Sequence, residues 1–152
     1  MTQNQDHDSA RSKTEDLRSK TEDPRSKTED QHLLRFPHHA LDVYRVALEA
    51  LVLADGVAKD LPRGYGALAD QLRRASQSAF LQVAEGAART GADRAARLRC
   101  ARAEACEAAA CTEALLALGL VSEARGKRLL RELARVAAML TRLAPAQRAA
   151  RR

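Results

Sequence analysis

Three sets of side chains in this sequence are of types that could do chemistry: histidines, cysteines and a concentration of arginines near the C-terminal end. All four histidines precede the first apolar pattern of helical period; they are His7, His32, His38 and His39. A histidine in these positions is not expected to act as a base inside a helical core. The adjacent pair His38 and His39 fits a polar loop better than a metal site, so no metal is predicted.

The cysteines and glutamates do not form a catalytic or metal-binding pattern either. Cys100, Cys106 and Cys111 are six and five residues apart in one predicted helix, unlike metal ligands that share a helix face at i, i+3 or i+4. Reduced thiols packed as small hydrophobic side chains are expected. The paired Glu and Glu-x-x-His pattern of a di-iron bundle is absent among Glu85, Glu104 and Glu107. We therefore predict a non-enzymatic protein without a cofactor or a small-molecule substrate.

The arginines offer a different chemistry, the binding of a polyanion. The net charge is +6, and its excess lies in residues 122–152, which hold nine basic and two acidic side chains, whereas residues 36–121 hold ten of each. Four arginines of the last predicted helix lie on one ridge, within an arc of about 60° on a helical wheel; they are Arg128, Arg131, Arg135 and Arg142. Such a ridge fits a phosphate backbone or an ordinary solvated face. The few aromatic residues argue against stacking on single-stranded bases, so contact with folded or double-stranded nucleic acid is expected.

A second polar pattern lies on a helix predicted at about residues 67–88. A stripe of polar side chains borders its apolar face within about 80°, and consists of Gln71, Arg74, Ser78, Gln82 and Glu85. Gly86 ends this pattern on the apolar side. We interpret the polar stripe as a hydrogen-bond network that fixes helix register, or as a subunit interface, rather than as an active site.

Four helices are needed to position these side chains, and the periodicity places them at about residues 40–60, 67–88, 90–118 and 122–143. A capping box of Thr90 and Asp93 is expected to start the third helix, and Ser122 to cap the fourth. The expected inner positions are, in the first helix, Leu41, Tyr44, Leu48 and Leu51, with Val43, Ala47, Ala50 and Ala54 widening the face; in the third, Leu98, Ala101, Ala105, Ala108, Thr112 and Leu115; in the fourth, Leu129, Leu133, Val136, Leu140 and Leu143.

The predicted fold is all-α, an up-down-up-down antiparallel four-helix bundle over residues 36–144. Residues 1–35 hold three copies of Arg-Ser-Lys-Thr-Glu-Asp, and their balanced charge and lack of apolar content predict a disordered arm. Residues 145–152 are expected to form a basic tail. No apolar run reaches the roughly 18 residues of a membrane span, and the N-terminus is unlike a signal peptide, so we expect a cytoplasmic protein.

The second predicted helix resembles a family signature. Gln71-Leu-Arg-Arg-Ala-Ser-Gln-Ser78 and Val83-Ala-Glu-Gly86 are similar to QLRRAAxSIxxNIAEG, the signature of four-helix-bundle proteins encoded in intervening sequences of bacterial 23S rRNA genes. The family's isoleucine and asparagine are Ala79 and Gln82 here. Weaker matches, among them Leu41-Asp-Val-Tyr44, extend the resemblance over residues 36–143.

The resemblance implies a bacterial homopentamer of four-helix bundles with a basic surface and a link to RNA. This family is similar to the accessory variability determinant proteins of diversity-generating retroelements, which are pentameric bundles that bind a reverse transcriptase and its template RNA. The implied partners are further copies of the chain, RNA and a reverse transcriptase. The leading expectation is RNA binding through the helix-four arginines. The alternative is an oligomeric scaffold, such as a reverse transcriptase accessory, without direct nucleic-acid binding.

Overall fold

The structure is a computed structural model that describes residues 36–144. Four α-helices and one short turn account for most of these residues. The helices are α1 (Asp42–Lys59), α2 (Gly66–Ala87), α3 (Gly91–Ala117) and α4 (Glu123–Leu143), and a 3-10 turn at Pro37–Ala40 precedes α1. The described range contains no strand, so the predicted all-α fold is confirmed there. The predicted arm and tail lie outside the described residues. None of the helices within residues 36–144 has the length and apolar composition of a membrane span.

The core is built from leucine, valine and alanine side chains where each helix packs on its neighbours. Contacts join α1 to α2, α2 to α3, α3 to α4, and α4 back to α1. The predicted inner line of α3 is buried throughout, and its one hydroxyl is satisfied because Thr112 Oγ1 donates to the Ala108 carbonyl at 2.8 Å. On α4, the positions predicted inside are buried at Leu129, Leu133, Val136 and Leu140.

The close approach of α2 to α3 depends on a glycine. A Cβ atom added at Gly86 would lie 2.8 Å from Leu98 Cδ2, a side chain buried in the core. Real Cβ atoms do not come this close, so any larger side chain would displace Leu98. The glycine that ends the predicted signature therefore has a packing role.

The buried face of α1 is narrower than the expected one. Val43, Ala47, Ala50 and Ala54 are buried as predicted, and Val46, Val57 and Ala58 are buried with them. Leu48, also predicted inside, is 41% exposed, and Leu41, Tyr44 and Leu51 are half-buried. The buried part of the face therefore consists of the smaller side chains, which let the neighbouring helices approach closely.

Three local expectations are also wrong. Thr90 and Ser122 occupy N-cap positions but make no side-chain capping hydrogen bond, and Asp93 instead pairs with Arg89 at 2.5 Å. Leu143, predicted inside, is exposed at the end of α4. Only Cys111 of the cysteines is packed in the core; the exposed ones are Cys100 and Cys106. Gly119 ends α3, with a φ of 66° and a hydrogen bond from the Leu120 N–H to the Leu115 carbonyl at 2.9 Å.

Candidate nucleic-acid interface and polar groove

The arginines of α4 form one exposed ridge because the opposite side of the helix is buried. We refer to the four exposed side chains of Arg128, Arg131, Arg135 and Arg142 as the basic ridge. The first and last of these are 14 residues apart, which is about 21 Å along an α-helix. The ridge thus presents four cations in a row on the solvent side of the bundle.

Acidic neighbours offset part of this charge. Arg128 Nη2 lies 3.4 Å from Glu49 Oε1 on α1, and Arg135 Nη1 lies 2.5 Å from Glu132 Oε2 on α4 itself. No ion pair joins Arg131 or Arg142 to a carboxylate of residues 36–144. Within the described part of the chain, the charges of Arg131 and Arg142 are therefore less compensated than those of Arg128 and Arg135.

A depression between α1 and α4 adds one further cation to the ridge. Its volume is about 450 Å³, and its lining residues include Arg45, Arg135 and Met139. Arg45 Nη2 contacts Asp42 Oδ1 at 2.5 Å. Periodicity does not predict Arg45 beside the ridge, because only the packing of α1 beside α4 brings the two helices' arginines to one surface.

The polar stripe of α2 lies along a groove between α2 and α3. The groove has a volume of about 490 Å³; all five stripe side chains line it, together with Leu81 of α2 and Glu104 and Glu107 of α3. Gln71 Nε2 donates to Glu107 Oε1, and Arg74 Nη2 donates to Gln71 Oε1 at 2.7 Å. At the other end, Arg97 Nη1 lies 3.3 Å from both Gln82 Oε1 and Glu85 Oε2.

These contacts give the polar stripe a structural role without burying it. Arg74 and Glu85 are exposed, and the remaining stripe side chains are half-buried. The stripe thus links α2 to α3, and it also lines a groove open to solvent. Glu107 and Arg97 on α3 could not be paired with α2 from the sequence, because their spacing carries no signal for a contact across two helices.

Aromatic side chains gather at the start of α1. His38 of the 3-10 turn stacks between Phe36 and Tyr44, and Tyr44 in turn packs on Phe80 of α2. Burial, and to a smaller extent His39, lowers the pKa of His38. The contacts of His38 with Phe36 and Tyr44 join residues close in sequence, whereas the contact of Tyr44 with Phe80 joins two helices.

Carboxylates and thiols form no metal site within residues 36–144, where no group of three potential ligands is found. Cys111 lies inside the bundle, and burial, together with the charge of Glu107, raises the pKa of its thiol. The two exposed cysteines are on the same helix. The strongest functional features of the described chain are thus a basic ridge and a polar groove.

The fold and these surfaces define a four-helix all-α protein with one basic face. The chain belongs to the 23S rRNA-intervening sequence protein family, whose model matches residues 39–142, more than half of the sequence. This match confirms the family expected from the helix-two signature and spans all four helices. No curated protein matches the chain.

Proposed function

We propose that this protein is a cytoplasmic, non-enzymatic four-helix bundle that binds structured RNA through the basic ridge. The observation that carries the proposal is the outward position of the ridge. The apolar side chains of α4 face the core, so the arginines on its far side are left for solvent or a ligand. Arginine rows favour phosphate because each guanidinium donates several hydrogen bonds and stays charged. The family's link to 23S rRNA intervening sequences supports RNA as the polyanion.

We also propose an up-down-up-down arrangement of the helices. Across α2 and α3, Gln71 contacts Glu107 and Gln82 contacts Arg97, so residue numbers rise on one helix as they fall on the other. Across α1 and α4, Arg125 meets Asp60 and Arg128 meets Glu49 in the same sense. These pairs support antiparallel neighbours, which short connections also favour.

A salt titration tests RNA binding. We expect the affinity for an RNA hairpin to fall steeply with salt, because bound phosphates release counterions. The double variant Arg131→Ala/Arg142→Ala should reduce the slope of log K against log salt by about 2, roughly one for each lost phosphate contact. Arg128→Ala/Arg135→Ala should have a smaller effect, because Glu49 and Glu132 already offset those charges.

The matched control is Arg63→Ala/Arg102→Ala. These two arginines are exposed, lie outside α4 and carry the same total charge. If this pair reduces binding as much as the ridge pair does, the contact is unspecific attraction to net charge. If the wild-type protein binds no RNA at low salt, RNA binding is not its function.

We propose that the chain also assembles with itself, as a homopentamer by its family resemblance, through the groove between α2 and α3. Leu81 supports this surface, because it is 47% exposed in a groove otherwise lined mainly by polar side chains. An apolar side chain ringed by hydrogen-bonding groups is common at protein interfaces. The same groove is the observation in favour of the second candidate function, a scaffold that binds a protein such as a reverse transcriptase.

A further inference from the structure

The aromatic residues at the start of α1 form a column of four rings. From the outside inwards, the column consists of Phe36, His38, Tyr44 and Phe80. The ring centroids are 5.5 Å apart between Phe36 and His38, 4.4 Å between His38 and Tyr44, and 5.0 Å between Tyr44 and Phe80. The planes of Phe36 and His38 are nearly parallel, at 7°.

The column is anchored at its inner end and open at its outer end. Tyr44 and Phe80 are half-buried against the core, whereas Phe36 is 59% exposed. The turn that holds Phe36 is itself fixed: Pro37 begins it, and the His39 N–H donates to the Phe36 carbonyl at 3.0 Å. A flat aromatic ring is therefore held at the surface by a hydrogen-bonded turn.

The start of α1 connects the column to the basic ridge. The 3-10 turn packs on α1 and α2, where Tyr44 and Phe80 carry the inner rings of the column. Arg45 follows Tyr44 directly, and it shares the depression between α1 and α4 with Arg135. The first two turns of α1 thus carry both an aromatic ring of the column and a cation beside the ridge.

We propose that the aromatic column is a stacking site for an unpaired nucleobase, and that the RNA bound by the ridge is a stem with a loop or bulge. The inference rests on the proposed function, because the ridge holds the stem while Phe36 receives the base. Unpaired bases stack on exposed aromatic side chains without regard to sequence, since every base has a π-face. Although the low aromatic content argues against base stacking, the fold gathers three of the four phenylalanine and tyrosine rings in this column. A flipped or looped base would extend the column by one more ring.

The test compares two RNAs with the same number of phosphates: a hairpin with an unpaired loop, and a fully paired blunt duplex. The hairpin should bind about 5- to 100-fold more tightly, the range that one stacked base contributes. Phe36→Ala should remove this preference and leave duplex binding unchanged. Phe36→Trp should keep it, because a larger aromatic face still stacks.

The matched control is Tyr65→Ala, which removes an exposed aromatic residue from the connection between α1 and α2. It should not alter the preference for the hairpin. A second measurement needs no variant: the fluorescence of 2-aminopurine placed in the loop should be quenched when the wild-type protein binds, because stacking quenches it.

The outcomes separate this inference from the function on which it rests. Equal affinity for hairpin and duplex, with a steep salt dependence for both, overturns the stacking site and leaves ridge binding intact. An unquenched loop base, or a hairpin preference that persists in Phe36→Ala, also overturns it. Absence of binding to either RNA at low salt overturns both proposals together.

Discussion

At the scale of single residues, charge compensation separates the four ridge arginines into two pairs. Arg128 and Arg135 have carboxylates of Glu49 and Glu132 within 3.4 Å and 2.5 Å. The Arg128–Glu49 pair is exposed on both sides, and pairs of this kind contribute little to stability, about 0 to 1 kcal/mol. Exchanging the Glu49 carboxylate for a phosphate therefore costs the fold little. Sequence spacing places all four arginines on one face but does not distinguish the two pairs.

The cysteines give a residue-level prediction. Burial raises the pKa of Cys111, whereas Cys106 is exposed on the same helix. Because the thiolate is the nucleophile, we expect iodoacetamide at neutral pH to modify Cys111 about tenfold more slowly than Cys106. Mass spectrometry of digested samples taken over time measures both rates.

Urea-denatured protein is the control for this labelling experiment. There the two thiols should react at similar rates, because unfolding removes the burial of Cys111. If Cys111 reacts as fast as Cys106 in the native protein, its placement inside the bundle is wrong.

At the scale of the helices, α2 makes two kinds of contact, one through its apolar side and one through its polar stripe. Its apolar side packs into the core, and its polar stripe connects to α3 through Gln71 and Gln82. Gly86 sets the separation of the two helices at one end, because Leu98 fills the space that a Cβ atom would occupy. Gln71, Gln82 and Gly86 of the helix-two signature therefore all take part in the α2–α3 contact.

Gly86→Ala tests this contact. We expect it to lower the free energy of unfolding by about 1–3 kcal/mol, because the added methyl group must displace Leu98 from the core. Urea denaturation followed by circular dichroism measures the change.

The matched control for Gly86 is Gly56→Ala in α1. There the nearest atom to an added Cβ is Arg125 Nη2 at 3.8 Å, an ordinary contact. Since alanine favours the helix over glycine by about 1 kcal/mol, this variant should be as stable as the wild type or more so. Stabilisation by both substitutions would show that α2 and α3 are not closely packed at Gly86.

At the scale of the whole bundle, the two proposed surfaces lie on different pairs of helices. The basic ridge lies where α4 meets α1, and the polar groove lies where α2 meets α3. In a four-helix bundle with these neighbours, the two pairs form opposite sides. Self-assembly through the groove would therefore leave the ridge of each protomer open to RNA.

Leu81→Asp tests this division of surfaces. The charge should disrupt an interface at the groove and lower the assembly mass from the five protomers of 16.6 kDa implied by the family resemblance. The affinity of each protomer for a short RNA hairpin should stay within about threefold, because the ridge is not altered. Light scattering and a binding titration measure the two quantities.

Leu118→Asp is the control for Leu81, because it places the same charge on another exposed leucine just beyond α3. It should leave the assembly mass unchanged. A wild-type protein that is a stable monomer contradicts self-assembly, and a Leu81→Asp variant with unchanged mass places the interface elsewhere.

The sequence by itself determined the features that follow from helical periodicity. The inner lines of α3 and α4 and the outward ridge of arginines all depend on positions within one helix, so a repeat of 3.6 residues is enough to assign them. The helix-two signature also indicated the family, which the match over residues 39–142 confirms.

Only the tertiary structure decided the features that depend on two helices at once. It left Leu48 of α1 exposed although periodicity assigns Leu48 and Ala47 to one face, because close packing between helices favours small side chains. It brought Phe80 to Tyr44, and Glu107 to Gln71. These contacts join residues 36 positions apart, and nothing in the local sequence specifies which faces of two helices will meet.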